Sequence, residues 1–144
     1  MKQFHSSALL ILVLILTACS ATATPLPTDP SSDTRIDQQG GIVIEITPLN
    51  LNTSTDTLEF DVVMNTHSID LSTDLVTLST LSTDTGVTVQ AILWDAPRGG
   101  HHVSGKLRFP VIKDGTSILV DAGKLTLTIV NLDAPSRAFE WELK

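Results

Sequence analysis

Leu58-Glu59-Phe60-Asp61-Val62-Val63-Met64-Asn65 places apolar residues at every even position and, Val63 apart, polar ones at the odd positions. Successive side chains of an extended strand point to opposite faces, so this alternation describes a strand with one face in a core and one in water. Upstream, Ile42-Val43-Ile44-Glu45-Ile46-Thr47 repeats the even-numbered apolar set. Downstream, Leu125, Leu127 and Ile129 alternate with Lys124, Thr126 and Thr128, and Phe139-Glu140-Trp141-Glu142-Leu143-Lys144 alternates strictly with apolar residues at odd positions. Further strands are expected near 74–81, 87–95, 103–109 and 117–121, separated by breakers at 50–56, 84–86, 97–100, 114–115 and 133–135. No stretch carries a convincing 3.6-residue period, and no internal repeat is visible. Seven or eight short strands in about 100 residues predict an all-β fold, an immunoglobulin-like β-sandwich over 42–144. Trp94 and Trp141 are expected in or at the edge of its core, because aromatic rings supply large buried area.

The chain ahead of that domain has a different character. Residues 8–16 (ALLILVLIL) are unbroken apolar, preceded by a short segment with one lysine, Lys2. A helix of that length reaches about 14 Å at ~1.5 Å per residue, well short of the roughly 20 residues a membrane span needs. It therefore reads as the core of a secretory leader over 1–18. The run closes in Leu16-Thr17-Ala18-Cys19, and Cys19 is the single cysteine of the chain. Residues 19–41 are rich in Ser, Thr, Pro, Asp and Gln, with prolines at 25, 27 and 30, and end in Gly40-Gly41. They read as a disordered tether.

Leu16-Thr17-Ala18-Cys19 resembles the bacterial lipobox, Leu-x-[Ala/Gly]-Cys, at its expected place after an apolar leader. The resemblance implies a bacterial lipoprotein: diacylglycerol on the Cys19 thiol, cleavage before Cys19, and anchoring in the cell membrane or outer membrane with the domain facing the periplasm or cell exterior. The layout as a whole resembles small, uncharacterised bacterial lipoproteins carrying one immunoglobulin-like domain. In size and fold class it is also similar to periplasmic copper-carrier sandwiches. It departs from those that use a free N-terminal amine and a first-residue histidine, and Met64 is the only methionine beyond Met1. No residue role is carried over from them.

With Cys19 lipidated, the domain has no thiol for a disulfide, an iron–sulfur cluster, a blue-copper site or a nucleophile. The chain carries 9 basic and 16 acidic side chains. Loss of Lys2 with the leader leaves 8 against 16, a net charge of −8. That balance argues against nucleic-acid binding.

Four histidines are present; His5 belongs to the leader. The others lie in Asn65-Thr66-His67-Ser68-Ile69-Asp70-Leu71 and Trp94-Asp95-Ala96-Pro97-Arg98-Gly99-Gly100-His101-His102-Val103. If strand 58–66 runs up, 74–81 down and 87–95 up again, all three imidazoles share one end of the sandwich. Neutral imidazoles are ligands for copper or zinc, and three with a water make an open tetrahedral site. Asp70 or Asp95 would supply a fourth ligand or orient a ring nitrogen. Alternation assigns His101 to the face of Val103, Leu107 and Phe109 and His102 to that of Ser104, Lys106 and Arg108. Both reach one ion only if a bulge at the glycines breaks the pleat. Otherwise one ring is structural: His67 as a turn cap, or His101 as a hydrogen-bonded residue at the core edge.

Two functions are expected on these grounds. One is an extracytoplasmic copper or zinc carrier or sensor using His67, His101 and His102. The other is a non-catalytic envelope interaction module that holds a protein partner. Three histidines and a water could also activate a nucleophile. With no identifiable base, no Gly-x-Ser-x-Gly elbow, no P-loop and no dinucleotide fingerprint, an enzyme is not expected.

Overall fold

The computed structural model describes residues 33–144, so the leader, Cys19 and the first part of the tether stretch lie outside the described residues. The chain forms β1 (Arg35–Asp37), β2 (Ile42–Pro48), β3 (Thr57–Thr66), a single helical turn α1 (Leu75–Leu78), β4 (Ser79–Thr83), β5 (Thr88–Gln90) and β6 (Leu93–Asp95). It continues through β7 (His102–Pro110), β8 (Ile112–Lys113), β9 (Thr116–Ser117), β10 (Lys124–Val130) and β11 (Ser136–Glu142). Two antiparallel sheets result, in the orders β1-β2-β3-β7-β6 and β11-β10-β4-β5, with β8-β9 a separate hairpin. With β1 and the hairpin set aside, β2, β3, β7 and β6 follow the A-B-E-D order of an immunoglobulin-like sandwich. The second sheet follows G-F-C with one added strand.

The alternation of the sequence is the alternation of burial. Ile42, Ile44 and Ile46 on β2 and Leu58, Phe60, Val62 and Met64 on β3 are buried, and their odd-numbered neighbours are not. From the facing sheet come Leu81, Leu125, Leu127, Ile129, Phe139 and Trp141. Phe60 lies at the centre, edge-on to Phe109 at 5.8 Å and tilted against Trp141 at 5.3 Å. Such aromatic pairs contribute about 0.5–1.5 kcal/mol beyond their area. Trp141 is fully buried and Trp94 packs half-buried against the same cluster.

Several expected elements differ in the structure. The 74–81 strand starts only at Ser79: the Asp74 carboxylate accepts the Val76 N–H at 3.0 Å and opens the turn α1, whose Leu75 and Leu78 both pack on the core. The 87–95 strand is two strands. Between them the Ala91 N–H binds Ser79 O and the Ile92 N–H binds Arg108 O, so the chain leaves one sheet and joins the other there. Of 117–121 only Ser117 is strand; Asp121 is left-handed (φ 57°), and the segment turns toward β10. The disordered tether is also too long as drawn, because Arg35–Asp37 pairs with β2 in the register Arg35↔Ile46 and Asp37↔Ile44. Its polar residues hide no core-facing alternation; what holds them is hydrogen bonding to the sandwich. No helix among the described residues is long and apolar enough to cross a membrane.

Candidate functional site

Strand β3 ends, and β7 begins, at what is here termed the upper end of the sandwich. Asn65 stands opposite His102, and the Thr66 N–H binds His101 O at 2.9 Å. His67 follows Thr66 directly, so the three histidines meet at one end, as strand parity requires. All three are exposed.

The loops that carry them are laced together. The Gly99 N–H donates to Leu71 O and the Leu71 N–H to Gly100 O, both at 3.1 Å. The Asp70 carboxylate accepts the Gly100 N–H at 2.9 Å, and Arg98 pairs with Asp74 at 3.1 Å. Gly99 and Gly100 are both left-handed (φ 85° and 98°), which lets the 96–101 loop fold back onto 67–74.

This bracing fixes the loop backbones without using any of the three imidazoles. The bend that Gly99 and Gly100 open runs through His101, and the regular ladder of β7 begins only at His102. Asp70 has its carboxylate engaged by the loop. Asp95 stands opposite Lys106, four residues along β7 from His102 or about 14 Å at ~3.4 Å per residue. Its backbone carbonyl lies over Gly105, where a Cβ would stand 2.2 Å from it. Among the described residues no group of three or more His, Cys, Asp or Glu side chains is arranged to hold a metal ion. One ring is nonetheless oriented: His102 Nδ1 lies 2.6 Å from Asn65 Oδ1.

Two open clefts lie at the opposite, lower end, on either side of the β8–β9 hairpin. One, about 350 Å³, is lined by Gly86, Val87, Lys113, Asp114, Thr116, Ser117 and Ile118. The other, about 300 Å³, runs from Thr53 through Asp56 to Val111, Ile112, Ser117 and Leu119. The Lys113 ammonium is bound to Thr88 O at 2.8 Å, and no histidine lines either cleft.

Sequence reading also missed a buried cation. Arg137 has no exposed surface, and it pairs with Asp37. Extending the odd-numbered apolar set of Phe139 and Trp141 two residues upstream puts position 137 inside, which was the available signal.

No protein-family model matches the chain, and no curated protein matches it. Among solved structures it is similar to a DUF4426 family protein from Pseudomonas aeruginosa PAO1, at 12% identity and a TM-score of 0.43, over 74% of this chain and 92% of that one.

Proposed function

We propose that this protein is a lipid-anchored extracytoplasmic interaction module without catalytic activity, which offers its upper loops, 67–74 and 96–101, to a protein of the envelope. The observation that carries this reading is the lacing of those two loops by three backbone N–H donors and the Arg98–Asp74 pair, with His67, His101 and His102 left exposed. A loop end braced in this way loses little conformational entropy on binding, the condition for a usable recognition surface. Anchoring rests on the leader and on Leu16-Thr17-Ala18-Cys19. Two or three acyl chains, at ~0.8 kcal/mol per buried methylene, hold a domain at a bilayer. Cys19→Ala is expected to abolish incorporation of labelled fatty acid and to release the protein from membranes. A photo-crosslinker at Ser72, exposed in the 67–74 loop and outside its bracing, is expected to give in intact cells a defined protein adduct that chelator leaves unchanged. The same probe at Lys113, on the lower end, gives none. No adduct from position 72, or one that disappears with chelator, would overturn the reading.

A second reading, a copper or zinc carrier or sensor, is favoured by one contact. With Asn65 Oδ1 as acceptor, His102 Nδ1 carries the proton and Nε2 keeps its lone pair toward solvent. A fixed tautomer of this kind is how ligand histidines are commonly held. His67 and His101 would complete such a site only by moving toward His102. Binding of copper(II) or zinc(II) lost in His102→Ala and weakened in Asn65→Ala would favour this reading.

A further inference from the structure

Arg137 is the one fully buried charged residue among those described. Its Nε donates to Leu132 O at 3.0 Å, Nη1 to Ile42 O at 3.2 Å and to the Asp37 carboxylate, and Nη2 to Gln39 O at 2.6 Å. Its one carboxylate partner is therefore Asp37, which belongs to the 33–41 segment and not to the eight-stranded sandwich. The rest of that segment is fastened to both sheets. On one side β1 pairs with β2, and the Thr34 and Thr47 hydroxyls meet at 2.7 Å. On the other, Arg35 Nε donates to Glu140 O at 2.9 Å and Gln39 Nε2 to Ser136 O at 3.2 Å, both carbonyls of β11. Trp141 Nε1 donates to Asp33 O at 2.5 Å, and the Gly41 N–H donates to the Asp133 carboxylate at 2.6 Å.

The segment is thus a strap along the seam of the sandwich. Without it, β2 would become the outer strand of its sheet, as β11 already is of the other, and unpaired outer strands are templates for pairing with another chain. A buried guanidinium deprived of its carboxylate cannot remain unpaired in a core. We propose that the 33–41 strap is an exchangeable strand. Its receptor is formed by the edges of β2 and β11 with Arg137 between them, and it accepts the same segment from a second copy of this chain when the strap leaves its own domain. Everything that residues 33–37 bond to is then restored in trans, which is what makes strand exchange a low-cost route to a dimer. The turn at 38–41, with Gly40 left-handed (φ 61°), is the hinge.

The test uses the full chain with Cys19→Ser, so that an added Thr34→Cys/Thr47→Cys pair holds the only thiols. Those side chains already touch in the closed form, within reach of a disulfide. With Asp37 present, oxidation is expected to link the pair within one chain. Asp37→Asn loosens the strap in the closed and the exchanged form alike, so it is expected to quicken exchange, and oxidation then traps disulfide-linked dimers whose share rises with protein concentration. Mixed tagged and untagged chains then give mixed dimers. Because Asp37→Asn could also unfold the domain, deletion of Gly40 is the second variant. It keeps Asp37 and Arg137 but prevents the hinge from closing, and is expected to give linked dimers outright. Intrachain links alone in all three chains, or aggregates unlinked at these positions in both weakened chains, would overturn the proposal.

Discussion

At the seam beneath β1, a guanidinium with no exposed surface is held by one carboxylate and three carbonyls. At the upper loop end of the same sandwich, three imidazoles stand in solvent while the backbone around them is bonded. Both regions bring polar groups from distant parts of the chain together. In the first, the side chain is itself the fastening, and with the strap in place it is spent on its own domain. In the second, the fastening is done by Asp70, Arg98, Asp74 and backbone N–H groups, so the histidines are free to meet something else. Polar side chains whose bonds are made to their own domain hold a fold; those positioned by their neighbours' bonds and left open are the ones available for recognition.

That contrast breaks most visibly at Arg137. Arg137→Ala strands the Asp37 charge and three carbonyls and is expected to cost about 3–5 kcal/mol, read as a lowered urea midpoint. A loss no larger than that of a loop substitution would remove the seam's energetic role. Gly105→Ala is expected next, at about 1–3 kcal/mol, because the new methyl has no room beneath the Asp95 carbonyl.

Acid sharpens the comparison further. Burial works against the Asp37 carboxylate. Hydrogen bonds from the Gln39 side chain and N–H, with the charge and hydrogen bond of Arg137, outweigh it and hold Asp37 below the usual carboxylate range. Its contribution is therefore complete above the unfolded value of about 3.9. It is lost as pH falls from there through the lower folded value. Asp37→Asn should flatten that stretch of the stability curve, measured by denaturation at stepped pH; an unchanged curve would contradict the assignment. The smallest effects belong to the loop end. Asp70→Ala, which frees the Gly100 N–H, is expected to cost about 0.5–1.5 kcal/mol. His67→Ala is expected to change stability by no more than about 0.5 kcal/mol in either direction. A larger loss would mean that the ring is part of the scaffold.

What the sequence disclosed follows the same division. Strand alternation is a local signal, and it located the buried faces of β2, β3, β10 and β11 and the common end of His67, His101 and His102. Contacts made by single polar residues across long separations left no periodic trace. The pairing of Asp37 with Arg137 is one such contact, and it turned part of the tether stretch into a strand. The bond from the Asp74 side chain to Val76 is local but reads equally as a strand start, which hid α1. The break between β5 and β6 has no breaker residue at 91–92; it is set by the facing strands, β4 and β7. Whether the three rings converge depended on where the pleat breaks, and the glycine pattern indicated a kink without indicating that it runs through His101 and ends at His102.

The most direct measurement is a calorimetric titration of the intact protein with copper(II) and with zinc(II), beside His67→Ala and a His101→Ala/His102→Ala double variant. If the upper loops act as a protein-recognition surface, the wild type shows no tight one-to-one binding that depends on all three histidines. Tight one-to-one binding that is lost in both variants would contradict the account and make the loop end a metal centre.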